Sequence, residues 1–174
     1  MKKLKIFNEL GLCITWKLID LGFKGSEVFQ GELSTKEIID FAVSIMEKGQ
    51  NADADVINLA CEYEANADGV DKYVKQLAQK ENTEYCFEYR KWRVLYVLHN
   101  LPAPETEFIE GLIALGDIWV KLNFPSDSPH VFQGRYNNIA PEQYYTQGNY
   151  NNLFRRHVEW INTEMSQIKG TSLA

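Results

Sequence analysis

Residues 34–49 spell out a complete helix, and no other feature restricts the fold as much. Ser34-Thr35-Lys36-Glu37 is a capping box: the Ser hydroxyl and the Glu carboxylate each accept from a backbone N–H that the first turn leaves unpaired. Ile38, Phe41, Ala42 and Ile45 follow at i, i+3, i+4 and i+7, with Ile39 and Met46 widening the stripe, and Gly49 stops the run. A chain that repeats this pattern buries its stripes by setting helix against helix.

The pattern recurs. Spacing predicts a helix over 53–63 with Val56, Leu59, Ala60 and Tyr63 inward. Asp55, Asn58 and Glu62 then share the outer face, because seven residues return a helix to nearly the same azimuth. A third helix is predicted from Asp68, as N-cap, burying Val70, Tyr73, Val74 and Leu77. Helix 83–101 carries two stripes, Tyr85-Tyr89-Trp92-Leu95-Tyr96-His99 and Phe87-Val94-Leu98, with Arg90 and Arg93 on a polar edge. A helix apolar on both sides is the one its neighbours surround. In 105–122, Phe108, Leu112, Leu115, Trp119 and Leu122 share a face, and Gly111 and Gly116 predict the close approach of a neighbouring helix. Helix 151–169 is predicted to bury Phe154, Val158, Ile161, Met165 and Ile168.

The expected fold is therefore all-α, a mostly helical single domain over 1–174 with one long irregular loop near 123–149. Pro125, Pro129, Gly134, Pro141 and Gly148 break that stretch, which also holds Phe124, Phe132, Tyr136, Tyr144 and Tyr145. Connections of this length are often functional. Two readings stay open: a binding element, or a flap whose aromatics cover a helix face. With 174 residues, of which 45% are hydrophobic, the chain can hold a core without metal or disulfide and is not disordered.

Charge is unevenly spread. The net of −6 divides into +3 over residues 1–26 (5 basic, 2 acidic), −9 over 27–88 (5 and 14) and zero over 89–174 (8 and 8). Between Lys48 and Lys72 there is no cation, yet Asp53, Asp55, Glu62, Glu64, Asp68 and Asp71 fall there. Such a field repels nucleic acid and attracts a basic partner. With Tyr136, Tyr144 and Tyr145, these six acids are the candidate partner-binding residues, since tyrosines supply rigid contact area and acids steer.

Little else suggests chemistry. Cys13, Cys61 and Cys86 show no C-x-x-C spacing, which fits free thiols in a reducing cytoplasm, and Cys61 and Cys86 lie near apolar stripes as buried, inert thiols would. The start, Met1-Lys2-Lys3-Leu4-Lys5, resembles a signal n-region, but Asn8 and Glu9 interrupt the apolar run that should follow. No window is long and apolar enough to span a membrane. His99 reads as a core histidine and His157 as structural, while His130, in the loop, is the one expected to be exposed. No metal-ligand spacing, nucleophile elbow, phosphate loop or dinucleotide fingerprint occurs. No catalytic residue, metal or cofactor is predicted.

Several segments carry a resemblance: Thr15-Trp16-Lys17-Leu18-Ile19-Asp20-Leu21-Gly22; Leu33-Ser34-Thr35-Lys36-Glu37-Ile38-Ile39-Asp40-Phe41-Ala42; Arg90-Lys91-Trp92-Arg93; and Asp117-Ile118-Trp119 followed by Asn123-Phe124-Pro125. In order and spacing over about 12–168 they resemble the small bacterial family called domain of unknown function 2247. The segment after Pro125 departs from that pattern, being longer and richer in Asn, Gln and Tyr. The family has no assigned catalytic residues. The resemblance implies a small helical bacterial protein, of a kind that serves as immunity partner to polymorphic toxins, including those of contact-dependent growth inhibition. The expectation is a cytoplasmic immunity protein, not an enzyme. Its partner would be a cognate toxin domain, a cationic nuclease, with no direct contact to nucleic acid or membrane. The alternatives are a small enzyme using His130 with loop residues, and a structural or regulatory protein-binding module.

Overall fold

The computed structural model describes residues 2–26, 30–49 and 53–171. Among the described residues there are helices and no strand, so the chain is all-α as the periodicity predicts. In order these are α1 (Lys2–Glu9), α2 (Trp16–Lys24), α3 (Thr35–Glu47), α4 (Ala54–Ala60), α5 (Ala67–Gln79), α6 (Tyr85–Asn100), α7 (Phe108–Lys121), α8 (Pro141–Tyr144) and α9 (Gln147–Thr171). Contacts group the chain into two compact units, one built on 1–92 and the other on 93–170, dividing within α6.

In the first unit α2 packs on α5, α3 on α4, and α4 on α5. The capping box of α3 forms as the sequence dictates, Ser34 and Glu37 bonding each other's backbone. Gly49, at φ +68°, sits just beyond the helix in the left-handed region that favours glycine. Two short helices that periodicity does not reveal precede it. The first, α1, has Leu4 and Phe7 buried. The N-cap of α2 is Thr15, whose hydroxyl accepts from Leu18 N at 3.0 Å. Glu81 supports the same helix end, its carboxylate accepting from Trp16 N and Lys17 N at 2.7 and 2.9 Å. A carboxylate there satisfies orphan donors and meets the positive end of the helix dipole.

Trp92 closes this core. Its indole N–H donates to Leu18 O at 2.8 Å, and its ring meets Phe7 edge-on at 4.9 Å. A Cβ on Gly22 would stand 2.2 Å from the Trp92 ring, so α2 needs glycine there.

In the second unit Trp119, Leu112 and Leu115 of α7 are buried, with Tyr150, Leu153 and Ile168 of α9. Gly111 seats the Tyr150 ring, which a Cβ would meet at 2.4 Å, and Tyr150 Oη donates to Ala103 O at 3.0 Å. The helix predicted against Gly111 is thus α9, whereas Gly116 faces His130 and Phe132 of the loop rather than a helix.

Several expectations are corrected. Helix α4 ends at Ala60 with Cys61 as its C-cap, and a turn from Tyr63 to Asn66 leads to α5, which Asn66 caps by accepting from Gly69 N at 3.1 Å; Tyr63, in that turn, is 80% exposed, not inward. Asp68 falls in the first turn of α5 rather than at its cap. Tyr85, Leu98 and His99 of α6 are exposed, so His99 is no core histidine, and Arg93 is buried rather than on a polar edge. Helix α9 begins four residues before its predicted start and takes in Gly148. Its buried row runs through Leu153, His157, Ile161, Glu164 and Ile168, leaving Phe154, Val158 and Met165 half-buried.

Candidate protein-binding surfaces

The acids of 53–71 lie where α4 and α5 begin and in the turn between them, and lysines distant in sequence meet most of them. Asp53, the N-cap of α4, holds Lys80 Nζ with both oxygens at 2.8 Å, and Asp55 reaches the same ammonium at 2.7 Å. The Lys80 hydrogen bond holds the Asp53 carboxyl below its ordinary range, and the two aspartates raise Lys80 in turn. Glu64 pairs with Lys36 at 3.1 Å. Asp71 lies between Lys75 and Lys24, at 2.5 and 3.4 Å; partial burial pushes its carboxyl up, and the two lysines outweigh this. Glu62 accepts from Asn66 Nδ2 at 2.8 Å. Glu62 lies beyond the end of α4, so it does not share a helix face with Asp55. Glu62 and Asp68 have no cationic partner among the described residues. The local gap in cations is therefore a feature of the sequence more than of the surface.

Loop 123–149 proves to be built rather than slack. Asn137 ties it together, its Nδ2 donating to Phe132 O and Arg135 O at 2.8 and 2.9 Å, its Oδ1 accepting from Gly134 N and Ile139 N at 3.2 Å. Arg93 of α6 holds the loop's start through Asp127, which also accepts from Trp160 Nε1 at 3.2 Å. Asn123, Phe124 and Tyr136 adopt left-handed φ of 58°, 52° and 60°. Such backbone costs about 1–3 kcal/mol each in non-glycine residues and persists only where surroundings impose it. The Arg135 guanidinium lies 3.6 Å from the Phe124 ring centroid. Tyr136 beside it is 97% exposed.

Part of the loop is the flap that its aromatics allow, and part of it is exposed. His130 and Tyr144 face inward and Phe132 packs on His130, while Tyr136 and Tyr145 face out. Tyr144 is thus a core residue, its phenol pushed up to about 12 by burial and then by Tyr145. His130 is buried, not exposed; its Nε2 lies 3.1 Å from Tyr144 Oη, and Nδ1 finds no partner among the described residues. Burial, then His157 and Arg156, push the His130 imidazole down to about 3. The protonation of His157 follows from its partners. Trp119 Nε1–H can only donate, so His157 Nε2 accepts at 2.6 Å, and Nδ1 carries the hydrogen to Leu153 O, also at 2.6 Å. Burial pushes this neutral ring down to about 4 against that carbonyl. All three cysteines are exposed, contrary to the expectation for Cys61 and Cys86: one caps the C-terminal end of α4, the other lies in the first turn of α6 on its outer side.

A third surface was not foreseen. On α7 a stripe beside that of Leu112, Leu115 and Trp119, about a quarter turn away, is also apolar: Ile109, Ile113 and Val120 are 42, 53 and 50% exposed. With Pro141, Glu142 and Tyr145 the first two line a cavity of about 460 Å³. A second, of about 250 Å³, shares Ile113 and Tyr145 and extends along Gly116 and Asp117 to Val120. The signal was present in the sequence: α7 is apolar at positions its buried stripe does not use. Residues 94–120 also hold Glu105, Glu107, Glu110 and Asp117 with no cation, like 53–71.

Among the described residues no three His, Cys, Asp or Glu side chains come together as a metal would require, and no helix is long and apolar enough to cross a membrane. The chain belongs to the family described as "uncharacterized protein conserved in bacteria (DUF2247)", whose pattern matches residues 4–165. Comparison with curated proteins and with solved structures gives no match to either.

Proposed function

We propose that this protein is a cytoplasmic immunity protein. It binds and neutralises a cognate toxin domain, a cationic nuclease, of a contact-dependent growth inhibition or related polymorphic toxin system, and it is not itself an enzyme. The observation that carries this reading is the excess of acid, 24 Asp+Glu against 18 Lys+Arg. Ion pairing with Lys36, Lys75 and Lys80 leaves that net charge in place, and at a distance a partner feels the net charge. An acidic inhibitor offers a nuclease the sign of charge of the nucleic acid it displaces, and steering lifts association above the neutral rate of about 10⁵–10⁶ M⁻¹s⁻¹.

Against the enzymatic alternative stands the state of His130. A base with a pKa near 3 takes up no proton at neutral pH, and its ring is held by Tyr144 and Phe132. The test is co-expression. On this reading the gene immediately upstream encodes the toxin, and bacteria induced to make its toxin domain should survive when the protein is also made. Death in both cultures, with both proteins present in soluble form, contradicts the proposal.

A further inference from the structure

One flank of α7 is an apolar seam that no other helix among the described residues covers: Ile109, Ile113 and Val120 are exposed, and Gly116 between them is buried against His130 and Phe132 of the loop. The four positions follow at steps of four, three and four, the repeat by which one helix lays side chains between those of another. Eleven residues at 1.5 Å make the seam about 16 Å long, three turns. Tyr145 and Pro141 wall one side, so the two adjoining cavities form a groove. Three exposed acids border it: Glu110 and Asp117 on α7 itself and Glu142 across the groove. None of the three has a cationic partner among the described residues, whereas four of the six acids in 53–71 do.

We propose that this groove is the docking site for an amphipathic helix of the toxin domain, with apolar residues at helical spacing and lysine or arginine along its flank. The inference rests on the immunity reading and names the surface that reading leaves open. Exposed branched side chains in a groove have apolar surface to bury, and the unpaired acids select a basic-flanked occupant over an acidic or neutral one. Among the described residues the chain shows no strand edge to which an extended segment could add. Tyr145 and Ile113 are the anchors at the centre, where truncation costs most. Glu110, Asp117 and Glu142 form the rim, which acts on approach.

The test uses the intact protein and the purified toxin domain encoded immediately upstream, with binding followed by surface plasmon resonance. Ile113→Glu should weaken binding by about 100-fold, mainly through faster dissociation. Asp117→Lys with Glu142→Lys should slow association by about tenfold at low salt. Tyr63→Glu, an exposed change on α4–α5, should leave both rates as they are, and circular dichroism should show all variants folded. If wild type binds and both Ile113→Glu and Val120→Glu bind within about threefold of it, the groove is not the site and the immunity reading stands. If wild type does not bind, that reading fails and the groove proposal with it. A dimer of the protein alone in sedimentation, dissociated by Ile113→Glu, would assign the groove to a second copy and overturn the proposal.

Discussion

At the scale of single residues, the two buried histidines link the core to pH. Both are held neutral, His157 by an indole N–H aimed at Nε2 and His130 by burial beside Tyr144. Their folded values, about 4 and about 3, lie below the ordinary 6.5. Between those limits the unfolded chain binds more protons than the folded one, so stability falls as pH falls through 6.5 and is lost down to the folded values. Each unit below 6.5 costs about 1.4 kcal/mol per histidine. Urea unfolding at pH 5 should therefore show several kcal/mol less stability than at pH 7, well before the depressed carboxylates Asp53 and Asp71 protonate. An unchanged midpoint across that range contradicts the neutral pair. Trp92 gives a second residue-scale outcome: Trp92→Ala should cost about 3–5 kcal/mol, through the lost ring and its buried hydrogen bond to the Leu18 carbonyl. A loss under about 1 kcal/mol would place Trp92 at the surface.

At the scale of elements, Arg90-Lys91-Trp92-Arg93, one of the segments behind the family resemblance, is scaffold. Lys91 and Glu88 are 1 and 0% exposed and paired at 2.8 Å, with Lys91 Nζ also donating to Cys13 O at 2.9 Å. Breaking such a pair strands a buried charge, so Lys91→Met should destabilise by about 3–5 kcal/mol. Glu88→Leu with Lys91→Met should recover most of that loss in the same thermal melts. This is also where the sequence stops being legible. Periodicity located α3, α5, α6, α7 and α9, each of which repeats its stripe for three turns or more, and α4, whose seven residues it ran on to Tyr63. It passed over α1 and α2, whose support, Phe7 on Trp92 for the one and Glu81 and Trp92 for the other, lies far along the chain. Helical spacing likewise showed that α6 has inward faces, but not that Glu88, Lys91 and Arg93 occupy them, since an ion pair's partners are set by tertiary contact. The loop's aromatics were legible as a group; which of them turn inward was not, because Asn137 and Arg93 decide that.

At the scale of the whole molecule, the proposed function divides recognition between charge and apolar surface. The net of −6 acts over about 8 Å at physiological salt and governs approach. The Asp55→Lys, Glu62→Lys double variant should associate more slowly and with weaker salt dependence, its melting temperature nearly unchanged because Asp55 and Lys80 pair at the exposed surface. Equal rates at low salt would make the acids of 53–71 a solvated surface only. The central claim is neutralisation of a neighbouring toxin by stoichiometric binding, and one titration tests it most directly. The purified toxin domain's nuclease activity is measured against increasing amounts of this protein. The account predicts a linear fall to zero at one equivalent; full activity under excess protein would contradict it.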